Sequence, residues 1–211
     1  MNFVNSAARA LVPVALIAMV SAAAPAATSG DLKAVEISLG ATQSMTANFL
    51  QTDGKGRQMA GTLSLKRPGK IRFAYGGGVN ALLVADGKNV WFLDKDLEQV
   101  TVKPADAALS STPAMLLSGV ANLRDSFTLT QAGSREGLDW VLVEPRKPEA
   151  DFRRALFGFS KGDLRKMIID DRLGQTATIE LASVERNAKV DPQEVSFTPP
   201  KDADVIGTPA K

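Results

Sequence analysis

With 211 residues, a formal net charge of +2, 45% hydrophobic and 23% charged residues, the chain has the balance of an ordinary globular protein. Its charges are dispersed, with no basic stripe for nucleic acid. It contains neither histidine nor cysteine, so the usual general base, the thiol nucleophile, the two commonest zinc ligands and any disulfide framework are all missing.

The N-terminus reads as a targeting segment. Residues 2–9 form a short, weakly basic stretch, residues 10–22 an apolar run too short to span a bilayer comfortably, and Ala24-Pro25-Ala26 fits an A-x-A cleavage site. Residues 1–26 are therefore predicted to be a cleaved signal peptide, against an alternative of an uncleaved anchor. The run is followed by no lipid-attachment cysteine, so the mature protein is expected to be soluble and unlipidated. Residues 27–211 are enough for a single domain with a sizeable core.

After residues 28–31, Leu32, Val35, Ile37 and Leu39 suggest a short amphipathic helix ending near Gly40. From residue 45 the period changes to two. Segments 45–51, 62–66, 70–75, 81–85, 89–93 and 98–103 each read as strands, with Gln58 onward leading into the second and with turn signals such as Arg67-Pro68-Gly69 and Asp86-Gly87 between them. A second helix is expected from Thr112 as N-cap and Pro113 at the first helical position to Gly119. A second block of strands follows at 126–131, 138–143, 153–160, 164–170 and 175–186, with a turn across 133–137. Phe127 with Leu129, Leu138 with Trp140 and Leu142, and Ile179 with Leu181 suggest one continuous oily face.

The fold class is mainly β, about 11 strands in one sequential meander whose oily face must be hidden by stacking two sheets, by closing into a barrel or by curling around something else; an incomplete, unclosed antiparallel β-barrel with a lid of short α-helices would leave an apolar cavity fit for acyl chains. Catalytic alternatives are weak. Asp170-Asp171 as a paired carboxylate is disfavoured because adjacent strand residues point to opposite faces and Arg172-Leu173-Gly174 signals a turn. Residues 94–98 lack the glycine and spacing of a calcium loop, and the Gly76-Gly77-Gly78 run lacks the lysine and helix of a phosphate cradle.

Several of these segments, taken together and in order, carry a family resemblance. They are Ser44-Met45-Thr46-Ala47-Asn48-Phe49-Leu50-Gln51, the Lys66-Arg67-Pro68 turn, Asp86-Gly87-Lys88-Asn89-Val90-Trp91-Phe92, Gln99-Val100-Thr101, Thr112-Pro113-Ala114-Met115-Leu116-Leu117 and Phe197-Thr198-Pro199-Pro200. This set resembles the periplasmic outer-membrane lipoprotein carriers of the LolA type across nearly the whole mature chain. The resemblance implies a non-enzymatic, monomeric periplasmic chaperone with no cofactor. Such a chaperone takes triacylated lipoproteins from an inner-membrane lipoprotein-releasing ABC transporter, shields their acyl chains and passes them to an outer-membrane receptor lipoprotein. A periplasmic lipoprotein-binding sensor of the same fold is the alternative. By the same resemblance Arg67 is the lid latch, and Pro113, Met115, Leu116, Leu117 and Ser118 belong to the lid helix it grips. Ile71 falls where relatives can have a phenylalanine near the cavity mouth. Alternation adds Phe49, Leu65, Phe73 and Trp91 to Ile71 as walls of the acyl-chain cavity.

Overall fold

The computed structural model describes residues 32, 40–105, 117, 123–147 and 152–210. Two meanders make up the fold. The first contains β1 (Ser44–Thr52), β2 (Gln58–Lys66), β3 (Lys70–Gly76), β4 (Ala81–Asp86), β5 (Asn89–Asp94) and β6 (Gln99–Pro104). A short helix, α1 (Leu123–Ser126), leads into the second: β7 (Phe127–Arg135), β8 (Leu138–Pro145), β9 (Phe152–Ser160), β10 (Asp163–Asp171) and β11 (Thr176–Arg186). β12 (Asp204–Ile206) ends the series.

All twelve strands lie in one sheet with the order β12-β6-β5-β4-β3-β2-β1-β11-β10-β9-β8-β7. β12 and β7 are its two free edges, so the barrel is unclosed. All eleven expected strands are present. The connection is not one sequential meander, however: the two meanders join through antiparallel pairing of β1 with β11. The twelfth strand also escapes the sequence pattern. It is only three residues long and pairs with β6 in parallel, a register that needs a long return connection and leaves no hairpin signal. The turn expected across 133–137 is reduced to Glu136 and Gly137. β7 runs through Gly133, and an irregularity between Gln131 and Ser134 absorbs the extra residues as a bulge.

Cross-strand register sorts the side chains. Phe49, Leu63, Leu65, Ile71 and Phe73 from the first meander share one buried cluster with Val141, Val143, Phe157, Met167, Ile179 and Leu181 from the second. β8 corrects the expected pattern: Val141 and Val143 face this interior, so Leu138, Trp140 and Leu142 must face outward by the period of two. Trp140 lies across Gly158, where an added Cβ would come within 3.1 Å of the indole. Its Nε1 donates to the Arg135 carbonyl at 3.2 Å, and the Arg135 guanidinium stacks 4.4 Å from the ring centre.

The outer face of β4 to β6 is also apolar. Leu82, Val84, Trp91, Leu93, Val100 and Val102 form a second buried cluster, with Phe197 and Ala203 of the C-terminal segment packed against it. Polar contacts hold that segment down. Lys66 Nζ donates to the Val190 carbonyl at 3.0 Å, Ser64 Oγ donates to Glu194, the Asp204 amide donates to the Glu98 carbonyl at 2.9 Å, and the Ala210 amide donates to buried Asn89 Oδ1 at 2.7 Å.

Candidate functional site

Arg67 directly follows β2, whose last residue, Lys66, pairs with Ser44 of β1 and Lys70 of β3. Its amide donates to the Gln43 carbonyl at 2.8 Å, which anchors the turn to the start of β1. Its side chain is half-buried, and Nε donates to the backbone carbonyl of Leu117 at 3.0 Å, across 50 positions of sequence. Burial pulls the guanidinium below its ordinary value, and arginine remains a cation at neutral pH. Leu117 is 2% exposed and belongs to the interior cluster. One residue of the expected lid helix thus supplies both a carbonyl to Arg67 and an apolar side chain to the interior. Pro113, Met115, Leu116 and Ser118 lie outside the described residues.

A cavity of about 20 Å³ sits beside this contact, lined by Thr42, Met45, Leu65, Arg67, Leu117, Gly162, Leu164 and Arg186. It has room for about one water molecule. Its floor is aliphatic and its rim carries two guanidinium groups, so it borders both the interior and the charged strand ends.

Phe49, Leu65, Ile71 and Phe73 come together as the register requires. Phe49 meets Phe73 edge-on at 5.3 Å between ring centres and Tyr75 at 5.1 Å. The Phe49 ring lies over Gly61, its direct partner on β2, where a Cβ would come within 2.6 Å of the ring and 2.1 Å of the Ala74 carbonyl oxygen. Only glycine fits between that aromatic ring and the neighbouring strand. Gly61 and Tyr75 are the wall residues that a reading of large apolar side chains overlooks; the available signal is a glycine inside a strand pattern opposite an aromatic residue.

Trp91 does not join them. Its partner on β4 is Val84, whose partner on β3 is Arg72, so the row Arg72-Val84-Trp91-Val102 faces outward. Phe73 shares its row with Leu83 and Phe92 instead. The indole lies 5.5 Å from the ring of Phe197, and its Nε1 donates to Asp86 Oδ2 at 2.7 Å. Trp91 is therefore a strut between the sheet and the C-terminal segment. Alternation within a single strand cannot reveal this, because both faces of β5 carry apolar residues.

Asp170 and Asp171 are the last two residues of β10, at the entry to a turn. Asp170 accepts from Arg154 Nε at 2.6 Å and from Thr176 Oγ1 at 2.8 Å, and the Arg154 hydrogen bond holds its carboxyl below the usual carboxylate range. Asp171 Oδ1 accepts the amides of Leu173 and Gln175, each at 2.8 Å. Asp94 likewise accepts the amides of Asp96 and Leu97 at 3.0 and 3.1 Å, in a hairpin tip.

The family model described as outer membrane lipoprotein carrier protein LolA matches residues 40–198. The chain belongs to the LolA family. An outer-membrane lipoprotein carrier protein of Dechloromonas aromatica (strain RCB) is 40% identical over 171 residues, covering 79% of this chain and 82% of the relative. One from Chromobacterium violaceum is 35% identical over 199 residues, covering 93% of this chain and 95% of its own. Among solved structures, an uncharacterized conserved protein from Thermus thermophilus superposes with a TM-score of 0.51 at 14% identity, covering 83% of this chain and 95% of that one. That likeness concerns the fold alone. Within the LolA match lie the whole Arg67 turn, the interior row of Phe49 and Phe73, and Phe197 at the far end.

Proposed function

We propose that this protein is a periplasmic lipoprotein carrier that shields acyl chains of triacylated lipoproteins in the interior of its open sheet. The observation that carries the reading is membership of the LolA family across residues 40–198, combined with an apolar sheet interior tied at its rim by Arg67. Residues 1–26 are read as the signal peptide that exports it. Cargo comes from an inner-membrane lipoprotein-releasing ABC transporter and leaves to an outer-membrane receptor lipoprotein. No chemical step is assigned to the protein.

The energetics are consistent with reversible loading. A hydrogen bond from a charged donor contributes about 1.5–3 kcal/mol, and each acyl methylene taken out of water gains about 0.8 kcal/mol. Two to four methylenes, by the same rough arithmetic, offset loss of the Arg67 contact with Leu117. Arg67 acts here as the latch, and Pro113, Met115, Leu116, Leu117 and Ser118 as the segment it holds. Phe49, Leu65, Ile71 and Phe73 line the acyl-chain space.

Membranes bearing a triacylated lipoprotein and the ATP-supplied transporter provide the test. The purified mature protein is expected to draw the lipoprotein into a soluble one-to-one complex. Retention of the lipoprotein in the membrane at every protein concentration would sink the reading. Arg67→Leu is expected to accept lipoprotein but to release it to the receptor about tenfold more slowly, the equivalent of ~1.4 kcal/mol. Unchanged release would remove Arg67 from the mechanism.

A further inference from the structure

Charge is unevenly divided between the two ends of the first meander. At the Arg67 end, the strand ends and turns carry Lys66, Arg67, Lys70, Lys88 and Lys103. Among the described residues, the one carboxylate on those strand ends, Asp86, is already engaged: Oδ1 accepts the amides of Lys88 and Asn89, each at 2.8 Å, and Oδ2 accepts from Trp91. At the opposite end the β5–β6 turn and the start of β12 carry Asp94, Asp96, Glu98, Asp202 and Asp204 against Lys95 and Lys201.

Two of the basic residues stand out. Lys66 and Arg67 donate to the carbonyls of Val190 and Leu117, but Lys70 and Lys88 make no ion pair among the described residues. Lys70 lies along the β4–β5 turn, its Cγ and Cε 4.0 Å from where a Cβ on Gly87 would stand, next to exposed Lys88. One carboxylate, Asp86, stands directly opposite Lys70 and is already engaged, so the five cations leave this rim with an excess of positive charge that works against the isolated fold and attracts an external anion.

We propose that this basic rim docks an acidic segment of the protein with which the carrier exchanges its cargo. The proposal rests on the carrier reading and adds to it a place and a polarity: the partner approaches the end where Arg67 holds Leu117. A protein partner fits better than a membrane surface. Peripheral membrane binding couples basic charge to inserted apolar side chains. Yet among the described residues the exposed large apolar side chains on turns, Leu97 and Leu173, sit at the opposite end of the sheet, on the β5–β6 and β10–β11 turns.

The experiment loads lipoprotein onto wild-type protein and onto the Lys70→Glu/Lys88→Glu variant, then follows transfer to the receptor lipoprotein at rising salt. The expected result is normal uptake into the soluble complex, transfer slowed at least about tenfold at low salt, and a flattened salt dependence. Lys70→Gln/Lys88→Gln should fall between the two, and Lys95→Glu at the acidic end should leave transfer unchanged. Equal transfer rates and equal salt slopes for wild type and the glutamate variant would overturn the proposal. So would unchanged transfer with loss of binding to phosphatidylglycerol vesicles, which would assign the rim to lipid. If wild-type protein takes up no lipoprotein at all, the carrier reading falls and the rim proposal with it.

Discussion

The two meanders are built from strands of similar length, but they treat their outer faces differently. β4 to β6 bury a second apolar cluster under residues 190–210, so strands there are greasy on both sides. β9 to β11 carry ion pairs on the outside: Arg154 with Asp170 at 2.6 Å and Lys166 with Glu180 at 2.9 Å. A strand's sequence pattern therefore reports what covers it rather than which way it faces. Where the C-terminal segment lies, both parities are apolar; where water lies, one is polar.

The largest effect that separates the halves should come from Trp91→Ala. Removing a buried indole under the C-terminal segment is expected to cost about 3–5 kcal/mol in denaturant unfolding. Ile168→Ala, half-buried on the outside of β10, should cost no more than about 1 kcal/mol. Equal losses at the two sites would erase the distinction.

The two glycines that accommodate aromatic rings offer a second comparison. At Gly61 an added methyl meets the Ala74 carbonyl and the interior ring of Phe49, so Gly61→Ala is expected to cost about 3 kcal/mol. At Gly158 the nearest obstacle is the tip of the half-buried Leu138 side chain on the outer face, at 2.9 Å, with the Trp140 ring behind it at 3.1 Å. Gly158→Ala should cost about 1 kcal/mol. A reversed order in melting temperatures would contradict the assignment of inner and outer faces.

Asn89→Ala tests how firmly the C-terminal segment is held. Losing the acceptor of the Ala210 amide should cost about 1 kcal/mol and raise hydrogen exchange in residues 204–210 before it affects β1 or β11. Uniform exchange across the sheet would mean the segment opens only with the whole fold.

The smallest effect belongs to the polar side. The folded-state pKa of Asp170 lies below 3.8, so its pairing contributes fully above that value and is lost as pH falls through the lowered pKa. Asp170→Asn should cost at most about 0.5–1 kcal/mol at pH 7, shrinking toward zero in acid. A penalty that grows as pH drops would give the linkage the wrong sign.

Much of this is legible in the amino-acid order. The eleven longer strands follow from period-two patterns punctuated by glycine and proline, and the interior row of Phe49, Leu65, Ile71 and Phe73 follows from alternation. Arg67 stands out only through the family resemblance, since a lone arginine at a turn looks like a solvated strand end. Three features lie beyond local pattern for physical reasons. Trp91 faces outward because register is set strand by strand from β3, and its own strand is apolar on both sides. The face of β8 is misread because Trp140 and Leu142 outweigh Val141 and Val143 in size while facing away from the core. β12 is held by pairing and by Gly207, where a Cβ would come within 2.2 Å of the Val102 carbonyl oxygen, and three residues carry no period of their own.

The free edges at β7 and β12 have a mechanical consequence. In a closed barrel, strand number and stagger fix the circumference, and widening the lumen means breaking a ladder of backbone hydrogen bonds. A sheet with an unsealed seam can change its bore by coiling or uncoiling as a whole, every rung intact, with the side chains on its inner face gliding apart. The stiffness of that motion is governed by the sheet's twist and by whatever bridges the seam. A single molecule can in this way house cargoes of different girth without refolding.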